Sequence, residues 1–125
     1  LADRGEFNAV SPRLLPLFVH ESRLNDGPLI SDVTAMADSV GKDAFLRQQK
    51  AIMGRLDSRP DLSRVDCPTL VLCGREDVLT PPDLSEEISA LIPGADLILI
   101  GDCGHLSTME RPEAVNAALA SWLAA

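Results

Sequence analysis

Aromatic residues and long apolar runs are both scarce in this 125-residue sequence, which has three Phe, one Trp and no Tyr. So few aromatic rings argue against a surface that stacks on nucleobases. No apolar run approaches the roughly 18 residues of a membrane-spanning helix, and the first residues lack the charged-then-apolar pattern of a secretory signal. With 46% hydrophobic and 24% charged residues, the composition is typical of one globular domain, which we expect in the cytoplasm and without a membrane partner.

Basic residues are scarce in the second half of the chain. Residues 1–60 carry eight acids and eight bases, whereas residues 61–125 carry eleven acids and three bases, which accounts for the whole net charge of -8. Nucleic acids and anionic membranes both require a basic protein surface. We therefore expect neither as a partner.

The three cysteines do not form a metal or disulfide pattern. Cys67, Cys73 and Cys103 are odd in number and show no C-x-x-C or Cys/His ligand spacing. We expect no metal site and predict that all three are small buried hydrophobic residues. Cys103 lies two positions before a histidine, so a reactive thiol is the alternative.

The first half of the chain predicts helices and no convincing strand. A short helix is predicted at residues 14–19 after Ser11-Pro12, a second at 30–40 ending at Gly41, and a third at 43–54. Each is amphipathic and needs a surface to pack against. We interpret residues 1–60 as a helical segment and the polar stretch at 56–68 as a connector.

The second half, residues 61–125, predicts the order strand, helix, strand, helix. The apolar runs at 69–73 and 97–100 are typical of parallel strands covered on both faces. Between them, Asp83 begins a helix with apolar residues at helical spacing, and Pro112 begins a last helix that contains Trp122. This order predicts a parallel α/β unit with right-handed crossovers.

Two parallel strands cannot form a stable sheet alone, because such strands need neighbours and helices on both faces. The chain also begins at Leu1 within helical sequence. We therefore expect that the rest of a longer protein, or a second copy in a homodimer, completes the sheet.

Two residues with catalytic chemistry follow the predicted strands. Asp77 comes four residues after Cys73, and His105 comes five after Ile100, so both are expected at the same edge of the sheet. An imidazole oriented by a carboxylate can take a proton from a nucleophile and return it to a leaving group. We predict that His105 is the general base and that Asp77 is its partner, with Glu76 as the competing acid.

The chain resembles the α/β-hydrolase fold family over about residues 65–125. The matching pieces are the strand at 68–74, the stretch Arg75-Glu76-Asp77-Val78-Leu79-Thr80-Pro81-Pro82, the second strand running into Gly104-His105, and the tail Glu110-Arg111-Pro112 before the Trp122 helix. The resemblance implies the C-terminal part of that fold's parallel sheet, with Asp77 as triad acid and His105 as triad histidine. Residues 1–60 then match the family's helical cap in position.

The family's nucleophile elbow, G-x-S-x-G or its Asp and Cys variants, does not occur in this sequence. In the family's order of nucleophile, acid and histidine, it would precede Leu1. The resemblance implies hydrolysis of a small ester, lactone or related carbonyl compound without a cofactor, and no activity for the 125 residues alone. Alternatives are a dehalogenase, a C–C bond hydrolase, a cofactor-free peroxidase or oxygenase, and a non-catalytic receptor or interaction module.

The remaining candidates have weaker sequence support. Val78 and Leu106 each follow a predicted catalytic residue and are candidates for substrate binding, with ordinary loop packing as the equal alternative. Asp102 lies three positions before His105 and is expected to cap its loop. His20, in the helical half, is expected to belong to the surface or to the structure of the cap, with pocket lining as the alternative.

Overall fold

The computed structural model describes residues 10–124, so residues 1–9 of the predicted helical segment and Ala125 lie outside the described residues. Six helices and two strands form in the order α1 (Leu15–Phe18), α2 (Gly27–Met53), α3 (Arg59–Leu62), β1 (Leu70–Gly74), α4 (Pro82–Leu91), β2 (Asp96–Ile100), α5 (Ser107–Glu110) and α6 (Pro112–Leu123), with a 3-10 turn at Glu21–Arg23. None of the described helices is long and apolar enough to cross a membrane.

The long helix α2 contains both helices predicted between residues 30 and 54. Its backbone is interrupted at Gly41, whose φ of 72° and ψ of 166° are not helical, and it ends with Gly54 as its C-cap. These angles lie in a region that is essentially restricted to glycine. The predicted break at Gly41 is therefore confirmed. The short helices α3 and α5 were not predicted, since four-residue helices carry too little periodicity to detect.

Strands β1 and β2 pair in parallel, with Leu70 opposite Asp96 and Gly74 opposite Ile100. Strand β1 is shifted by one residue from its prediction, whereas β2 begins one residue earlier than predicted and ends where predicted. The predicted burial on both faces is not reached within this chain: Ile98 is 36% exposed, and Leu72 is half-buried. The reason is that among residues 10–124 only two strands pair, and of the described helices α4 contacts both of them most extensively.

Two clusters of buried apolar residues hold the elements together. In the first, Val19, Leu29 and Val33 pack with Leu106 and Met109, so the helices of the first half contact the segment around His105. The second cluster joins β2 to helix α6 through buried Ile100, Cys103 and Val115, with Leu72 of β1 packed against it. Both clusters include residues of the stretch that follows β2, and that stretch consequently packs against the helical half as well as against α6.

Candidate active site

Two turns follow the carboxyl ends of β1 and β2, and we call them the acid turn (residues 75–81) and the histidine turn (residues 101–106). Backbone hydrogen bonds join them: Arg75 N–H donates to the carbonyl of Ile100 at 2.8 Å, and Glu76 N–H donates to that of Cys103 at 3.0 Å. A Cβ on Gly74 would overlap the carbonyl oxygens of Cys103 and Gly104. Glycine at position 74 therefore allows the histidine turn to lie directly on the end of β1.

Asp77 and His105 are in contact across these turns, although they are 28 residues apart in sequence. The distance between His105 Nδ1 and Asp77 Oδ2 is 2.9 Å. The carboxylate is buried, with 5% of its side chain exposed, whereas 31% of the imidazole side chain is exposed. When Nδ1–H donates to the carboxylate, Nε2 keeps its lone pair and can accept a proton. His105 is thus oriented by Asp77, while part of its ring stays exposed.

Thr80 orients the same carboxylate and was not predicted to have a role. Its hydroxyl lies 2.8 Å from Asp77 Oδ2 and 3.2 Å from His105 Nδ1. The N–H groups of Leu79 and Thr80 both donate to Asp77 Oδ1 at 2.9 Å. A sequence signal did exist, because an Asp side chain commonly accepts hydrogen bonds from backbone N–H groups two or three residues later in a turn.

The hydrogen bonds determine the charge state of Asp77. Burial by itself raises the pKa of this carboxyl group, but the donors from the Thr80 backbone, His105 and the Thr80 hydroxyl outweigh burial and hold the pKa below its usual value. Asp77 is therefore ionised at neutral pH. An ionised partner is what a protonated imidazole requires for stabilisation.

The two other acids of these turns, Glu76 and Asp102, have other partners. Glu76 Oε2 accepts a hydrogen bond from the backbone N–H of Cys103 at 3.0 Å, so this carboxylate ties the acid turn to the histidine turn. Asp102 is largely exposed, has a positive φ of 49° and lies 3.7 Å from the guanidinium of Arg111. The acid in contact with His105 is the one that the spacing favoured. The Asp102 carboxylate faces Arg111, and its expected capping of the loop stays a prediction.

Cys103 is fully buried, which agrees with the prediction of a small hydrophobic residue. Burial, with the nearby Glu110 carboxylate as the next cause, raises the pKa of the Cys103 thiol to about 11. The raised pKa keeps the thiol protonated at neutral pH, which favours the prediction of a small hydrophobic residue over the alternative of a reactive thiol. Cys73 is buried as predicted, but the prediction for Cys67 is wrong because this residue is exposed in the connector.

The remaining candidates lie on different sides of the turns. Val78 is 59% exposed beside Asp77, whereas Leu106 is half-buried and packs against the cluster that contains Val19. Val78 is thus available to a ligand, and Leu106 is partly engaged in packing. The ring of His20 caps the 3-10 turn, since its Nδ1 accepts from Ser22 N–H. Within residues 10–124, His, Cys, Asp and Glu side chains form no group suited to a metal ion.

Glu110 is the other polar residue that sequence reasoning missed. Only 1% of it is exposed, and its carboxylate accepts hydrogen bonds from the backbone N–H groups of Gly104 and His20. Glutamate is rarely fully buried, and one of its partners is 90 residues away in sequence. Nothing in the local pattern could have revealed this contact.

Comparison with known proteins gives a consistent set of similarities. A model described as the alpha/beta hydrolase family matches residues 2–118. The chain is 34% identical over 114 residues to a Mycobacterium tuberculosis protein named "Putative non-heme bromoperoxidase BpoC", a match that covers 90% of this chain and 43% of that protein.

Two solved structures superpose closely on the chain. An esterase from Thermogutta terrifontis gives a TM-score of 0.83 at 33% identity, covering 89% of this chain and 41% of the esterase. The enol-lactonase from Burkholderia xenovorans LB400 gives 0.83 at 25% identity, covering 99% of this chain and 47% of the lactonase. The chain thus spans less than half the length of each of these three proteins.

Proposed function

Because the chain belongs to the alpha/beta hydrolase family, we propose that it supplies the acid and the histidine of a catalytic triad. The proposed enzyme hydrolyses a small ester, lactone or related carbonyl substrate. The single observation that carries this proposal is the 2.9 Å contact between the buried Asp77 carboxylate and the partly exposed His105 ring. Similarity to proteins named as an esterase and an enol-lactonase supports the substrate class.

The nucleophile of the proposed reaction lies outside these residues, since no elbow motif occurs among them. His105 Nε2 takes the proton of the nucleophile as the nucleophile attacks the carbonyl carbon, and then protonates the departing alcohol or ring oxygen. In the second half, Nε2 takes a proton from water, the hydroxide attacks the acyl group, and the proton returns to the nucleophile. Asp77 stays ionised throughout and stabilises the imidazolium.

The chain covers only part of the length of these relatives, which supports a site whose residues come from different parts of a longer protein. The matches to the esterase and the enol-lactonase cover 41% and 47% of those proteins, so we propose that residues elsewhere in the same protein complete the sheet and supply the nucleophile. The helical residues before the connector are then the cap beside the site. By this proposal the 125 residues have no hydrolase activity on their own, and turnover by the isolated chain would contradict it.

The test is to replace His105 by Ala and Asp77 by Asn in the full-length protein, with p-nitrophenyl acetate and a small lactone as substrates. We expect kcat to fall by about 10³-fold to 10⁴-fold in each variant, because the base or its tautomer is lost. The matched control is Asp83→Asn, an exposed acid in the first turn of α4, which should stay within about twofold of wild type. Unimpaired turnover by His105→Ala at unchanged folding rules the mechanism out.

A second candidate is the same fold with a different reaction, favoured by the relative that is named a bromoperoxidase. Halide oxidation with hydrogen peroxide distinguishes the two, since the hydrolase should turn over the ester faster than it brominates an organic acceptor. A dehalogenase would be identified by halide release and an upstream Asp nucleophile. The non-catalytic alternative predicts no turnover of any of these compounds and no effect of His105→Ala.

A further inference from the structure

Glu110 lies at the end of helix α5, and its buried carboxylate contacts two distant parts of the backbone. Its Oε1 accepts from Gly104 N–H at 3.0 Å, and its Oε2 accepts from His20 N–H at 2.7 Å. A buried carboxylate is costly unless its oxygens are hydrogen-bonded, and here each oxygen has a backbone donor. The side chain therefore joins the histidine turn to the segment Phe18–His20.

That segment holds the backbone on both sides of His105. Before the histidine, a Cβ on Gly104 would lie 2.8 Å from His20 N and 2.9 Å from Val19 C, so the two backbones are in direct contact. After it, Leu106 N–H donates to the Phe18 carbonyl at 3.0 Å. The residues that flank His105 are thus both tied to a segment more than 80 residues earlier in the chain.

A third contact attaches the backbone of Glu110 to the same region. Arg23 Nη1 donates to the Glu110 carbonyl at 2.5 Å, and the Arg23 guanidinium also pairs with Asp26, the N-cap of α2, at 2.8 Å. Both the carboxylate and the carbonyl of Glu110 are therefore engaged with the helical half of the chain. Movement of Glu110 would release these contacts together.

We propose that Glu110 is a positioning residue for His105. By holding Gly104 against His20, it keeps the imidazole Nδ1 at hydrogen-bond distance from Asp77, so that Nε2 is oriented to take and return a proton. The inference rests on the proposed function, because it treats His105 as the base. A carboxylate suits the role since it only accepts hydrogen bonds, whereas an amide in its place would turn an NH₂ donor toward one of the two N–H groups.

The experiment compares Glu110→Gln with Glu113→Gln in the full-length protein. Glu113 is an exposed acid in the first turn of α6 and serves as the matched control. We expect Glu110→Gln to lower kcat by about tenfold to a hundredfold with KM changed less than about threefold, because the base is displaced and the binding surface is retained. Glu113→Gln should change neither constant more than about twofold.

Nuclear magnetic resonance provides a readout that does not need turnover. In Glu110→Gln we expect faster amide exchange at Gly104 and a shifted or broadened His105 Nδ1 proton signal, since the Asp77 contact is loosened. A wild-type kcat and an unchanged Nδ1 signal in a folded variant would overturn the proposal. So would a loss of kcat that equals the loss of folded protein.

A conservative variant covers the case in which Glu110→Gln does not fold. Glu110→Asp keeps the charge but is one methylene shorter, so it can reach only one of its two donors well. An intermediate kcat with a partly shifted Nδ1 signal supports positioning, whereas faster Gly104 exchange with unchanged kcat and Nδ1 signal overturns it. If wild type shows no hydrolysis, the proposed function fails, and the Nδ1 signal alone decides the role of Glu110.

Discussion

The helical region (residues 10–62) and the strand-helix region (residues 69–124) differ in the tertiary contacts that their predicted elements make. In the strand-helix region, hydrogen bonds join distant residues at the site, such as Cys103 N–H to Glu76 across 27 positions. In the helical region, burial is confined to the part near His105, at Val19, Leu29 and Val33, whereas many later apolar residues are exposed: Met36, Val40, Leu46, Ile52, Met53 and Leu56. Helical periodicity therefore predicts a helix but not what covers it.

Glycine substitutions should have the largest effects on stability in the two regions, because each region needs one glycine for a different physical reason. Gly74 is needed for space, since a Cβ there would overlap carbonyl oxygens of the histidine turn, whereas Gly41 has open space and is needed for its positive φ of 72°. We expect Gly74→Ala to lower the free energy of unfolding by about 3 kcal/mol or more. Gly41→Ala should cost about 1–3 kcal/mol.

Urea unfolding of the full-length protein measures both changes. The control is Gly101→Ala in the histidine turn, where a Cβ meets nothing within 4 Å and φ is not positive, so a change within about 0.5 kcal/mol is expected. Equal losses for Gly74→Ala and Gly101→Ala would show that close approach at the end of β1 is unimportant.

Local patterns predicted the parts of the fold that local chemistry determines. Apolar runs located both strands to within about one residue, and Gly41 and Gly54 were identified as helix breaks. The family match confirms the resemblance to the α/β-hydrolase fold. The contact of Asp77 with His105 was predictable because parallel strands present the loops at their carboxyl ends on one side.

The parts that could not be predicted depend on contacts between distant residues. Glu110 is one acid among eleven in residues 61–125, and its burial follows from the segment at Phe18–His20 meeting the histidine turn. The strands were predicted to be covered on both faces, yet their coverage depends on neighbours that an apolar run does not specify. Sequence patterns show that an element prefers to be buried, whereas the tertiary fold determines which residues cover it.

Thr80 offers a smaller test, with a threonine from the helical region as its counterpart. The Thr80 hydroxyl donates to Asp77 Oδ2, whereas the Thr34 hydroxyl donates to the Ile30 carbonyl within α2. We expect Thr80→Val to lower kcat/KM by about tenfold, or roughly 1.4 kcal/mol, because a hydrogen bond to a charged group is lost. Thr34→Val should leave kcat/KM within about twofold of wild type. Thr80→Ser keeps the hydroxyl, so a loss as large as that of Thr80→Val would contradict this role.

The smallest expected effect is a difference in how salt changes two carboxyl pKa values, those of Asp57 and Asp77, which are both lowered. The Arg59 guanidinium lowers the pKa of exposed Asp57 to about 2, and the pKa of buried Asp77 is lowered because its hydrogen bonds outweigh burial. Since salt screens exposed charges far more than buried ones, we expect 0.5 M NaCl to raise the pKa of Asp57 toward 3.8 and to change that of Asp77 little. Titration of carboxylate carbon signals at low and high salt checks this.

The two groups should also differ in how they link pH to folding. Asp77 needs the folded turns, so its lowered pKa contributes stability that is fully present above about pH 4 and is lost as pH falls through the folded value. Asp57 and Arg59 are two positions apart and can pair in the unfolded chain, so their contact should contribute little to this dependence. Unfolding of Asp77→Asn and Asp57→Asn between pH 2 and 6 should therefore flatten the acid dependence for Asp77 only. If the acid dependence of unfolding flattened equally in both variants, the Asp57–Arg59 ion pair would depend on the folded structure as much as the contacts of Asp77 do.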